Sequence, residues 1–182
     1  LAHSTVLVAS CGSVFSVKTG DGWNQIVAGQ ADWSPDQEGC ILDWPVPQAR
    51  TADLGLVHSI GAELEDSGLV LVAHSLREQD NVWRHKVSQL DVETGTVSDI
   101  DALDLTDDDA IPVQVSAGPG SRICIATIDK NGEGPLFVYR QGVRRKLSFP
   151  NGIRPNGCAW WDDRLFVTDG TSGNTYEVVP PK

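Results

Sequence analysis

Helical periodicity is missing from almost the whole chain, and that constrains its fold more than any other feature. Apolar residues fall instead in short runs rich in Val, Ile, Leu and Thr, parted by Gly, Asp, Asn and Ser. That is the pattern of strands and tight turns. Four runs set the rhythm: residues 5–10 (TVLVAS), 69–74 (LVLVAH), 122–128 (RICIATI) and 164–168 (RLFVT). Each is followed, after a polar gap, by a second strand, at residues 14–18, 84–92, 135–140 and 174–179. In three units a third strand follows a turn, at residues 24–28, 96–100 and 144–149. In three units another strand precedes the pair, near residues 56–60, 113–117 and 157–161. The repeating unit is a four-stranded meander of about 40–50 residues, the size of a propeller blade.

The expected fold is all-β: a β-propeller of four-stranded antiparallel blades, with about four blades' worth present. The units fall at residues 1–29, 54–100, 111–149 and 150–182 and hold three, four, four and three strands; residues 30–53 form a connector. Together they make a single propeller domain, or part of one. Ring closure pairs the two ends of a chain within one blade, whereas these ends fall in different blades. The expectation is a segment of a larger, six-bladed propeller, since closed rings have about 4–8 blades. The chain also begins at Leu1 and contains no Met. Open blade edges predict self-association.

Charge narrows the partners. With 14 Lys and Arg against 25 Asp and Glu, the net charge is −11, which argues against nucleic acid or an anionic membrane surface. Arg144, Arg145 and Lys146 read as a solvated strand face. Nothing at the front reads as a signal peptide, and no apolar stretch is long enough to span a bilayer. Cys11, Cys40, Cys124 and Cys158 show neither a C-x-x-C pair nor zinc spacing, and are expected to be free structural thiols in a reducing, cytoplasmic setting.

Several motifs are absent: no phosphate-binding loop, no GxSxG elbow and no HExxH occur. His3, His58, His74 and His85 have no paired spacing and read as ordinary surface or strand histidines. Residues 99–109 (DIDALDLTDDD) hold six Asp but lack the Gly and Glu of an EF-hand loop, so a solvated loop between blades is expected. Residues 129–133 (DKNGE) have the composition of a hairpin turn. The connector carries Trp33 and Trp44, which with Trp160 and Trp161 could serve a recognition surface. Asn156, followed by Gly157, stands just before an apolar strand. There an Asn side chain would face the propeller channel as a hard oxygen donor for a divalent cation, although Asn-Gly is also a common tight turn.

Residues 150–179 (PNGIRPNGCAWWDDRLFVTDGTSGNTYEVV) resemble the regucalcin/gluconolactonase family of six-bladed propellers, also called senescence-marker-protein-like, and the similarity runs over residues 112–179. Strictosidine-synthase-like propellers share much of the pattern. The resemblance implies a divalent-metal (Ca, Mn or Zn) hydrolase of the sugar-lactonase or esterase type, acting on a small lactone or ester. The ion would sit at the channel mouth and polarise the carbonyl. Of the family's Glu, Asn and Asp ligands, only the Asn carries over, as Asn156; the other two positions fall outside these 182 residues. The family's Arg-x-Asn-Asp segment is not recognisable in residues 106–112 (TDDDAIP). The catalytic residues stay unassigned, and the alternatives are a non-catalytic binding or scaffold module and a strictosidine-synthase-like propeller.

Overall fold

A computed structural model describes residues 5–10, 13–18, 23–29, 54, 56–63, 67–78, 82–149 and 152–179. The connector at residues 30–53, with Trp33 and Trp44, lies outside them, as do His3, Cys11 and Cys40. The strands form four antiparallel meanders. The first sheet is β1 (Thr5–Ser10), β2 (Ser13–Lys18) and β3 (Trp23–Gly29). The second is β4 (Leu56–Glu63), β5 (Leu69–Arg77), β6 (Trp83–Asp91) and β7 (Val97–Asp104). The third is β8 (Ile111–Gly118), β9 (Arg122–Ile128), β10 (Leu136–Arg140) and β11 (Val143–Leu147). The fourth is β12 (Pro155–Trp161), β13 (Arg164–Asp169) and β14 (Thr175–Val178).

The leading strands line up: β4 packs on β8 and β8 on β12, while β1 and β2 of the first sheet reach β4. This is the arrangement of propeller blades around a channel, with the row left open among the described residues. The chain is a partial β-propeller of about four blades.

Burial on both faces explains why the second strands read as continuous apolar runs. In β9, Ile123 and Ile125 face a core shared with the second sheet, where they meet Leu71, Ala73, Leu103 and Leu105. The alternate residues, Cys124 and Ala126, face the fourth sheet and meet Cys158, Leu165 and Val167. In β5, Leu71 and Ala73 join the first of these cores, while Val70 and Val72 join Leu54, Val57 and Leu90 in a third. Period-two alternation therefore divides each such strand between two seams.

The leading strands share a further device. Each carries a β-bulge near its start, an extra residue against its neighbour: His58 in β4, Val113 in β8 and Asn156 in β12. The residue after the bulge then reaches across to the next blade. Ser59 Oγ accepts from the Val115 amide at 3.0 Å, and Gln114 Oε1 accepts from the Cys158 amide at 2.8 Å. In β12 the residue after the bulge is Gly157. A Cβ there would lie 2.6 Å from both Gln114 Oε1 and Thr168 Oγ1, so the glycine makes room for the hook arriving from β8. Asn156-Gly157 is therefore strand, not turn.

Two expectations are corrected. The acidic run is not a loop: β7 extends through Asp104, and Thr106–Asp108 form a turn of 3₁₀ helix. Between the acidic residues, Leu103 and Leu105 are fully buried, which keeps the segment on the core. Two of its carboxylates are ion-paired: Asp99 with Lys86 at 2.7 Å and Asp108 with Arg144 at 2.9 Å. Cys124 and Cys158 are not free thiols but form a disulfide joining β9 to β12, with Cα atoms 6.3 Å apart. Their spacing of 34 residues hid the pairing, because only the stacking of neighbouring blades brings them together.

Candidate functional site

Two places at the same end of the blades gather polar side chains. The first surrounds Asn156, which is exposed at the β12 bulge, with its Oδ1 accepting from Thr168 Oγ1 at 2.9 Å. Asp169, at the end of β13, is buried beside it and spent on the fold. Its carboxylate accepts from the Arg154 and Thr171 amides at 3.0 Å, from the Ser172 amide at 3.2 Å and from Ser172 Oγ at 2.5 Å. These bonds, that from the Ser172 hydroxyl foremost, hold its pKa well below the usual carboxylate range. Among the described residues no three His, Cys, Asp or Glu side chains converge as a metal cage. Among the described residues Asn156 stands there as one neutral oxygen donor.

The second place lies at the seam of the second and third blades. A pocket of about 510 Å³ is lined by Val82, Trp83 and Ile111 on its apolar side and by His58, Ser75, His85 and Thr106 on its polar side, with Asp109 also in the wall. Ser75 is buried between two imidazoles: His58 Nε2 and His85 Nδ1 each lie 2.7 Å from its Oγ. A hydroxyl has one proton to give, so one ring nitrogen accepts it and the other donates its own N–H to the oxygen.

Local structure puts each of these groups in place. Ser75 and His85 face each other across the β5–β6 register, and the bulge lets His58 turn toward them. The His85 amide donates to Thr106 Oγ1 at 3.1 Å, while its carbonyl accepts from the Leu105 amide at 2.7 Å, which fixes the start of β6 against the crossover to β8. His74 points the other way: Nδ1–H donates to the Leu54 carbonyl at 2.9 Å, and Nε2 meets the Ser88 hydroxyl at 2.8 Å. Burial, with the His85 and His74 rings adding to it, pushes His58 down to about 4. Burial lowers His85 too, against the opposing charges of Asp109 and Asp104.

The histidines are thus not scattered: His58, His74 and His85 share one blade, and two of them share one serine. Sequence reasoning missed this because no fixed spacing marks it. The available signal was hairpin arithmetic, since an antiparallel register that pairs 70 with 90 also sets 75 opposite 85. The bulge that brings His58 to the pair has no such signature.

No protein-family model matches the chain, and no curated protein matches it. Among solved structures, the extracellular domain of a one-component system from B. thetaiotaomicron matches with a TM-score of 0.52 at 9% identity. That match covers 98% of this chain and 23% of the other. The computationally designed Ika4 protein matches with a TM-score of 0.47 at 9% identity, covering 98% and 86%. The N-terminal domain of Nup159 matches with a TM-score of 0.42 at 12% identity, covering 96% and 45%. The chain therefore spans about a quarter of the bacterial domain's length and under half of the Nup159 domain's. At 9% identity the likeness to the bacterial domain is one of fold alone, a propeller-like arrangement of sheets.

Proposed function

We propose that this partial propeller is a binding module for a small organic ligand, held in the pocket between the second and third blades. The observation that carries this is the pocket wall itself: a half-exposed Trp83 (39%) beside Val82 and Ile111, facing the convergent polar groups His58, Ser75, His85 and Thr106. An apolar wall with a few placed hydrogen-bonding groups is the usual make-up of a ligand site. Among the described residues no Lys or Arg lines it, Asp109 does, and the chain carries a net −11, so neutral or cationic ligands are favoured over anions. The test is a titration of tryptophan emission with benzyl alcohol, benzamidine and benzoate. The first two should quench, benzoate should not, and the response should vanish in Trp83→Phe; a response unchanged in that variant would count against the pocket. The Cys124–Cys158 bridge favours an oxidising compartment over the cytoplasm expected from free thiols.

A second reading is the metal-dependent sugar-lactonase or esterase suggested by the resemblance, favoured by the exposed Asn156 at the end of its leading strand. It predicts that Ca²⁺, Mn²⁺ or Zn²⁺ raises the Tm over an EDTA baseline and that Asn156→Ala abolishes the rise. Ligand at 100 times its Kd would stabilise the fold by about 2.7 kcal/mol. No shift in either protein would remove this reading.

A further inference from the structure

We infer that Ser75 is a nucleophile for acyl transfer from a small ester, with His85 as its base and His58 as the hydrogen-bond donor beside it; this rests on the pocket's being a ligand site. The geometry is specific. Two ring nitrogens at 2.7 Å from one hydroxyl are placed both to take its proton and to hold its oxygen. The two rings are not equivalent. The charges of Asp104 and Asp109 act on His85 and would stabilise the imidazolium formed when it takes the proton. The ionisable neighbours felt by His58 are the other two imidazoles, which resist a positive charge there. The proton therefore goes to His85 Nδ1, and His58 Nε2–H is left as the donor. Both histidines are held neutral near pH 7, the state in which one can accept and the other donate. His85 is also fixed at its amide and its carbonyl, so the ring keeps its station.

In the reaction, Ser75 Oγ attacks the ester carbonyl carbon. The Oγ–C bond forms, the bond from that carbon to the alcohol oxygen breaks, and the serine proton passes through His85 to the leaving alcohol. Water then attacks the acyl-serine, giving a proton through the same nitrogen, and the acid departs as Ser75 regains its hydrogen. The pocket beside the hydroxyl, about 510 Å³ and walled by Trp83, Val82 and Ile111, suits a small aromatic or aliphatic ester. Ser75 lies on a strand and lacks a GxSxG elbow, which is why no motif marked it.

The experiment is labelling of the whole chain with phenylmethanesulfonyl fluoride, which carries the benzyl group of benzyl alcohol, followed by peptide mapping by mass spectrometry. Ser75 should be sulfonylated, with benzyl alcohol protecting it. His85→Gln should slow the labelling by about 100-fold or more, with an unchanged Tm reporting that the fold persists. Turnover of p-nitrophenyl acetate should disappear in Ser75→Ala, a variant whose Tm reports that the fold persists. Benzyl alcohol that still quenches Trp83 while Ser75 stays unlabelled would overturn the nucleophile and leave the binding reading standing. Loss of both signals would overturn both.

Discussion

The two seams that flank the third blade are built from the same strands yet solve different problems. Toward the fourth blade, β8 and β9 present Cys124, Ala126 and Val113, and the seam is closed by the Cys124–Cys158 bridge. The Gln114 hook lies across it, and Arg122 sits over the Trp160 ring while pairing with Asp163 at 2.5 Å. Toward the second blade the same strands present Ile123, Ile125 and Val115 to an apolar core. At one end, however, that seam opens into a polar pocket floored by a serine and two imidazoles. One seam is bridged and hooked, with a pocket of about 280 Å³ at its edge beside Glu133, Lys146 and Arg154; the other gives up apolar closure at one end for a buried serine and imidazoles that can exchange protons. Buried polar groups without a purpose are costly, so the difference marks the second seam as the working one.

The largest effect that would break this contrast is removal of the bridge. Cys124→Ser with Cys158→Ser should cost about 3–4 kcal/mol on a chain-entropy estimate for the 34-residue separation. That is a Tm fall of about 10 °C in a domain of this size, measured by calorimetry. A fall of only a degree or two would mean that the bridged seam owes its strength to packing alone.

Gly157→Ala comes next. Its methyl group would displace Gln114 Oε1 from the Cys158 amide, and a loss of about 1–3 kcal/mol is expected. Gln114→Ala should cost about 1 kcal/mol alone and less in the Gly157→Ala background, since the hook is already broken there. Additive losses in denaturant titrations would show that the hook does not join the blades.

Acid should strain the other seam. The folded-state pKa of His58 lies near 4, below the unfolded value of 6.5, so its neutral form is the one that the fold favours. Its contribution is complete above about pH 6.5 and is lost as the pH falls toward 4. The Tm should therefore drop across that window in the wild type and drop less in His58→Gln. Equal pH profiles would exclude His58 as the acid-sensitive group. The smallest effect is Asn156→Ala, exposed and bonded to Thr168 of its own blade, which should change stability by about 0.5 kcal/mol or less.

The blade pattern was legible because propeller strands are short, alternate cleanly and stack on both faces; residues 5–10 and 122–128 coincide with β1 and β9. The acidic run misled because its six Asp outweighed Leu103 and Leu105, the residues that hold it to the core. The disulfide and the Ser75 cluster were not legible, since both arise between strands: one across blades, the other from a hairpin register and a bulge. Asn156 drew notice through its motif, yet what the motif secures locally is the space at Gly157 that the Gln114 side chain occupies.

The contrast between the seams is tested most directly by hydrogen exchange resolved along the chain, compared at pH 7 and pH 5 after correction for intrinsic rates. If the second seam is the one that gives, amides of β4, β5 and β6 should lose protection at pH 5 while β9, β12 and β13 keep theirs. Uniform loss across all four blades, or loss first at the bridged seam, would contradict the assignment of the second seam as the working one.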